Sequence, residues 1–149
     1  MKSTKIMPPT YMLIAMLLMI FLNFVLPIMT IIPNPWSLLG IIPVVLGVYV
    51  SVVTEKAFRD ASTTVTPFEE SSALVTDGWY RISRNPMYLG FVLVLVGIAV
   101  LLRSLSPFAV IPLFMAAIEI VFIKAEERML SGKFGGLYLA YSKNTRRWI

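Results

Sequence analysis

From Tyr11 to Ile32 the chain runs for 22 residues without one charged side chain. At about 1.5 Å of rise per residue, a helix of that length crosses a hydrocarbon layer of roughly 30 Å. Pro33-Asn34-Pro35 then breaks the run, and Trp36 to Thr54 adds 19 uncharged residues with Trp36 as an interfacial anchor. Met87 to Leu102 and Pro107 to Ile123 are shorter, at 16 and 17 residues, and reach both interfaces by borrowing flanking residues. The expectation is an all-α, polytopic integral membrane protein forming a single domain over residues 1–149. Four spans, about 11–32, 36–54, 87–102 and 107–123, pair as two hairpins, the first of them tight. Composition agrees, since 58% hydrophobic and 14% charged residues lie well outside the balance of a soluble globular domain.

Charge sets the orientation. If both ends and the long connection 55–86 share one side, that side holds 12 of the 13 basic residues, from Lys2 and Lys5 to Arg146 and Arg147, and only Arg103 lies opposite. That asymmetry marks a cytoplasmic face, placing both termini there and the protein in an inner or cytoplasmic membrane. The net charge of +5 is thereby explained without a nucleic-acid partner, because the cations flank apolar spans instead of forming a basic stripe. A secretory signal peptide is a rival for the N-terminus, but the apolar run is long and lacks a small-x-small cleavage site. The chain has no Cys and no His, which removes disulfides, thiolate or imidazole metal sites and the His general base. No metal site is expected.

The mouths of the helices are where an enzyme and an inert anchor differ. Asn85-Pro86 reads as an ordinary helix start, with an Asn N-cap accepting an orphan N–H and Pro at the first helical position. The same helix end, with Arg84 beside it, suits a carboxylate or phosphate. Gly90 lets another helix approach closely, and Tyr88 sits at the interface. Glu126 and Glu127 are either solvated carboxylates, with Glu127 paired to Arg128, or part of a site. Glu119, inside the fourth span, is a functional candidate by default, its alternatives being snorkelling or a pair with Lys124. It lies seven residues before Glu126, so on an α-helix the two share a face about 10.5 Å apart, and Leu130 continues the stripe. The fourth helix continues past Lys124 and stops at Gly132, Leu137 to Tyr141 form a short helix in the tail 124–149, and Arg146-Arg147-Trp148 is a membrane-surface terminus.

Three motifs in order then acquire a joint meaning. Gly78-Trp79-Tyr80-Arg81-Ile82-Ser83-Arg84-Asn85-Pro86-Met87-Tyr88-Leu89-Gly90, Glu126-Glu127-Arg128-Met129-Leu130 and Phe134-Gly135-Gly136-Leu137-Tyr138-Leu139-Ala140-Tyr141 resemble the membrane methyltransferase superfamily. That superfamily contains the isoprenylcysteine carboxyl methyltransferases and phospholipid N-methyltransferases. Thr64-Val65-Thr66-Pro67 and Leu74-Val75-Thr76 match as well, so the resemblance covers about Thr63 to Ile149. Asn85 stands where the usual pattern has His, and Gly40 and Gly47 do not reproduce the Gly-x-Gly that phospholipid enzymes carry in an earlier span.

The resemblance implies S-adenosylmethionine as cofactor, held in a cytoplasmic loop and C-terminal helix. It implies Asn85, Tyr88 and Gly90 at the cofactor, Glu126 and Glu127 toward its amino or hydroxyl groups, and Leu130 as apolar packing. Arg84 and Glu119 are the candidates for work on the reacting groups, Arg84 for a carboxylate and Glu119 or Glu126 for a proton. The expected acceptor is lipid-like or small and enters among membrane lipids, with isoprenylcysteine carboxyl O-methylation first. Phospholipid N-methylation and small-thiol S-methylation are the alternatives. A non-enzymatic membrane scaffold and a sterol-reductase-like enzyme are the readings of another class. Attack of a carboxylate on a sulfonium methyl needs no base, so a chain without His is suited to it.

Overall fold

A computed structural model describes residues 6–149 apart from 65, 67 and 68. Val65 and Pro67 of the Thr64-Val65-Thr66-Pro67 match, and Lys2 and Lys5 of the charge count, lie outside the described residues. The regular structure of the described residues is helical, with α1 at Pro8–Val25, α2 at Ile41–Asp60, α3 at Pro86–Leu102, α4 at Val110–Ile118, α5 at Lys124–Phe134 and α6 at Gly136–Asn144. A π turn, Glu119–Ile123, joins α4 to α5 into one continuous rod. Three helical stretches, Pro8–Val25, Trp36–Asp60 and Ser106–Phe134, are long and apolar enough to cross a membrane, and Pro86–Leu102 is a shorter apolar helix.

The first helix ends seven residues earlier than the uncharged run, at Val25 instead of Ile32. Pro27 is the cause, since a proline disfavours the helical conformation in the residue before it and lacks the N–H a further turn needs. The following segment is extended and runs beside the turn after α3. Thr30 bridges Ser104, Ile31 N–H donates to the Arg103 carbonyl at 2.9 Å and Leu105 N–H to the Met29 carbonyl at 2.9 Å. Arg103 itself takes a left-handed backbone, φ 71°, and its Nε donates to the Ile32 carbonyl at 3.1 Å. Ser104 Oγ donates to Asn23 Oδ1 at 2.6 Å, so this end of the bundle is clasped by polar groups.

The expected tight hairpin of the first two spans does not form. Helix α1 packs on α4, on the turn before it and on α3, whereas α2 packs on α3. Helix α3 is therefore central, with nine of its 17 residues buried against three of 18 in α1. The core joins Met19, Leu95, Ala99, Val110, Phe114, Ile118 and Phe122. Outward faces remain apolar, with Leu13, Leu17, Phe21 and Phe24 on α1 and Ile42, Val45, Tyr49 and Val52 on α2 all exposed. A helix apolar on every side belongs in lipid or in a core, and these faces have no core left to enter.

The α2–α3 seam is built from glycines seven residues apart, Gly40, in the turn that leads directly into α2, and Gly47 on α2 against Gly97 and Gly90 on α3. A Cβ on Gly40 would come within 2.5 Å of the Gly97 carbonyl oxygen, and one on Gly90 within 2.7 Å of the Gly47 carbonyl oxygen. The spacing of Gly40 and Gly47, uninformative as a ligand motif, is explained by this antiparallel contact. Gly132, expected to stop the fourth helix, lies inside α5, and the break falls at Gly135 with φ 51°. Gly90→Ala and Gly47→Ala should each destabilise the protein by about 1–3 kcal/mol through overpacking. Gly132→Ala, with nothing within 4 Å of its Cβ, should stabilise by about 0.5–1 kcal/mol. Denaturant titration in detergent reads all three, and equal effects would remove the seam from the account.

Candidate functional site

At the opposite end of α3 from Arg103, the helix start, α5, α6 and the long connection wall a cleft that opens to the surface. The connection supplies Thr64, Thr66, Glu69, Ser71, Leu74 and Val75 to its wall. Hydrogen bonds within that segment hold it in place. Thr64 Oγ1 donates to Glu69 Oε2 at 2.8 Å, Ser72 N–H to Thr63 Oγ1 at 3.0 Å, and Ser72 Oγ to the Ser62 carbonyl at 2.8 Å. Phe58 at the end of α2 meets Tyr80 edge to face at 5.5 Å, and Tyr141 Oη donates to the Tyr80 carbonyl at 2.6 Å. These contacts tie α2, the segment before α3 and α6 around one opening.

Of the residues singled out in the sequence, Arg84, Asn85, Tyr88, Glu126, Glu127 and Leu130 all line the cleft. Gly90 and Glu119 do not. Gly90 lies in the α2–α3 seam, and Glu119 Oε1 accepts from Arg147 Nη1 at 2.8 Å, not from Lys124. Tyr88 is buried, not interfacial, and its hydroxyl donates to Glu126 Oε1 at 2.6 Å. Asn85 makes no side-chain cap. Its Nδ2 donates instead to the Arg147 carbonyl at 3.0 Å, and Ser83 Oγ donates to the same oxygen at 3.1 Å. The expected cap fails because the returning C-terminal segment offers a buried acceptor, and a buried amide is costly to leave unpaired.

The π turn explains why the Glu119–Glu126 face is not observed. Two turns of α-helix span about seven residues, and one inserted residue makes the matching separation eight. Glu119 and Glu127 consequently face the same partner, Arg147, whose Nε and Nη2 donate to the two oxygens of Glu127 at 2.9 and 2.7 Å. Glu126 is rotated away toward Tyr88. Glu127 therefore pairs with Arg147 and, at 3.3 Å, with Arg84, not with Arg128.

The electrostatics of the opening are mixed. Glu126 belongs to the polar stretch that starts at Lys124, beyond the apolar run. Burial pushes its carboxyl up from 4.5 to about 7, the Tyr88 hydrogen bond opposing the rise and the Glu127 charge adding to it. Burial likewise raises the phenols of Tyr80, Tyr138 and Tyr141, so all three remain protonated donors at neutral pH. Arg84 Nη1 donates to Tyr138 Oη at 3.2 Å, while Arg84 Nε is buried without a hydrogen-bond partner among the described residues. A cleft with one guanidinium, one carboxyl poised near neutrality, phenolic donors and apolar walls can take an elongated ligand carrying both an anionic and a cationic group.

Tyr138 and Tyr141 line the cleft without having been placed there by the motifs, as do Phe58, Glu69 and Ser71, and Arg147 braces it from behind through Glu127. Both tyrosines were visible in Phe134-Gly135-Gly136-Leu137-Tyr138-Leu139-Ala140-Tyr141, three apart and hence on one helix face. Arg147 is not a surface anchor, and Trp148 beside it packs against the core. A family model described as phospholipid methyltransferase matches residues 36–136, more than half of the chain. No curated protein and no solved structure matches it.

The folded chain keeps Glu126 protonated to about pH 7, whereas 4.5 is its ordinary value. The stability this proton contributes is complete below about 4.5 and is lost as pH rises through about 7. The free energy of unfolding should therefore fall between about pH 4.5 and pH 7, by on the order of 3 kcal/mol, with a matching fall in melting temperature. Glu126→Gln should flatten that slope, and an unchanged slope in this variant would assign it to other groups.

Proposed function

The chain belongs to the phospholipid methyltransferase family, and from that premise we propose that it transfers a methyl group from S-adenosylmethionine to a lipid-like acceptor at the cytoplasmic face of a membrane. Its family and its apolar helices make it an integral membrane protein. The observation that carries the proposal is the convergence of the α3 start, α5 and α6 on one cleft at the end of the apolar bundle. The residues fit the cofactor. Arg84 Nε, with no hydrogen-bond partner among the described residues, matches its carboxylate, the Glu126 carboxyl beside Tyr88 matches an ammonium or ribose hydroxyl, and Leu74, Val75, Met87 and Leu130 suit its adenine.

When bound, S-adenosylmethionine supplies a methyl group made electrophilic by its sulfonium, so that displacement by a carboxylate cancels two opposite charges. Apolar and phenolic walls exclude water from that displacement. A prenylcysteine-like carboxylate is the first acceptor, since its oxygen attacks without losing a proton. An amine head group is the second, favoured by Glu126, whose proton affinity near neutrality allows it to take up the proton an amine must release. Glu119, engaged by Arg147, is a support for the site in this reading instead of a proton acceptor. Arg84 acts on an anionic group, and Asn85 and Gly90 fix the backbone that presents Tyr88.

Calorimetry on the purified protein should show S-adenosylhomocysteine binding that Glu126→Gln or Tyr88→Phe weakens about tenfold or more, the scale of one charge-assisted contact. Absence of binding in the wild type would leave a scaffold. Labelled cofactor offered with a farnesylcysteine analogue, phosphatidylethanolamine and an alkyl thiol then identifies the acceptor. The proposed topology has four spans, with α3 the shortest, and the cleft end cytoplasmic. Because the chain has no native Cys, Lys56→Cys and Arg103→Cys provide single labels, and an impermeant thiol reagent should reach them from opposite sides. Labelling from the same side contradicts this arrangement.

A further inference from the structure

Four charged side chains meet where α3, the π turn, α5 and the C-terminal segment join, and they are unequally paired. Arg147 holds both oxygens of Glu127, at 2.9 and 2.7 Å, and Glu119 Oε1 at 2.8 Å. Arg84 is left with one longer approach to Glu127, 3.3 Å from Nη1, and the same nitrogen also serves Tyr138 Oη. A guanidinium beside a free carboxylate normally takes it by two parallel hydrogen bonds. Here both oxygens of that carboxylate are engaged by Arg147, and Arg84 Nε is buried with no hydrogen-bond partner among the described residues.

We propose that Arg147 is a positioning residue which, by engaging both oxygens of Glu127, keeps that carboxylate from closing a two-bond fork on Arg84 and leaves the Arg84 guanidinium available to an anionic group, a carboxylate or phosphate, in the cleft. The inference rests on the methyl-transfer reading and names one feature of how that site selects its ligands. Removing the Arg147 side chain leaves two carboxylates and one guanidinium, so Glu127 closes its fork on Arg84 and cancels the charge facing the cleft. The side chain is not needed merely to hold the C-terminal segment. The Arg147 carbonyl accepts from Ser83 Oγ and Asn85 Nδ2, the Arg146 carbonyl accepts from Arg84 N–H at 2.9 Å, and Trp148 packs on the core. All of these contacts survive a side-chain change at position 147.

The test compares binding of S-adenosylhomocysteine with that of its decarboxylated analogue, using the full chain in detergent. Where the cofactor carboxylate is the anion, the wild type prefers the carboxylated ligand about tenfold or more. Arg147→Met brings the two affinities within about threefold by weakening only the carboxylated ligand, and adding Glu127→Gln restores the preference. Where the anion belongs to the acceptor, Arg147→Met leaves the cofactor preference intact and raises KM for the acceptor about tenfold at unchanged kcat, and Glu127→Gln again reverses the effect. Equal loss of all ligands that Glu127→Gln does not rescue, or no change in any, overturns the proposal. If Arg147→Met fails to fold, Arg147→Lys, which keeps the charge and gives up the fork, is read in the same way and should show an intermediate effect. Wild-type protein that binds neither ligand refutes the methyl-transfer reading itself, and this inference with it.

Discussion

Helices surrounded by lipid gain little from burying apolar side chains against one another, because the alternative environment is equally apolar. Close backbone approach supplies the attraction instead, and the glycine seam between α2 and α3 is where this chain obtains it. The paired contacts of Gly40 with Gly97 and Gly47 with Gly90 fix the antiparallel register of the two helices. That register sets the end of α2 beside the start of α3, which brings Phe58 against Tyr80. The cleft is built on that contact, and the far end is secured independently by the Arg103, Ser104 and Asn23 clasp.

The site is assembled from the ends of elements, as is usual where function sits on a rigid scaffold. Helix α3 is nearly all apolar and central, yet its first turn supplies Tyr88 to the opening. The rod formed by α4, the π turn and α5 contributes Phe122 to the core and Glu126 to the cleft. The chain's last residues then cross back and satisfy Ser83 and Asn85 through a single carbonyl oxygen.

Uncharged runs made the helical class legible, and six residues singled out from the spaced motifs, Arg84, Asn85, Tyr88, Glu126, Glu127 and Leu130, line one cleft. Those motifs sit beside helix boundaries, where residue type and backbone geometry are closely linked. What was not legible depended on tertiary context. Pro27 is the exception, a local stop signal present in the sequence but set inside an otherwise uncharged run. The partner of Asn85 comes from 62 residues away, a distance no local capping rule covers. Arg147 looked like a surface anchor because snorkelling and ion pairing use the same residue type. Gly40 and Gly47 showed their meaning only once Gly97 and Gly90 lay opposite them.

The π turn also bears on how chains of this architecture are to be compared. One extra residue is accommodated within Glu119–Ile123, and the helix on either side keeps its heading. A chain one residue shorter there, wound as plain α-helix, would present its carboxylates to Tyr88 and to Arg147 in the same way. A chain of equal length whose turn relaxed to α would rotate Glu126 off the cleft by roughly a quarter of a turn. Equivalence between such chains is thus carried by angular phase around the rod, and an alignment that insists on equal spacing would pair residues that face different neighbours.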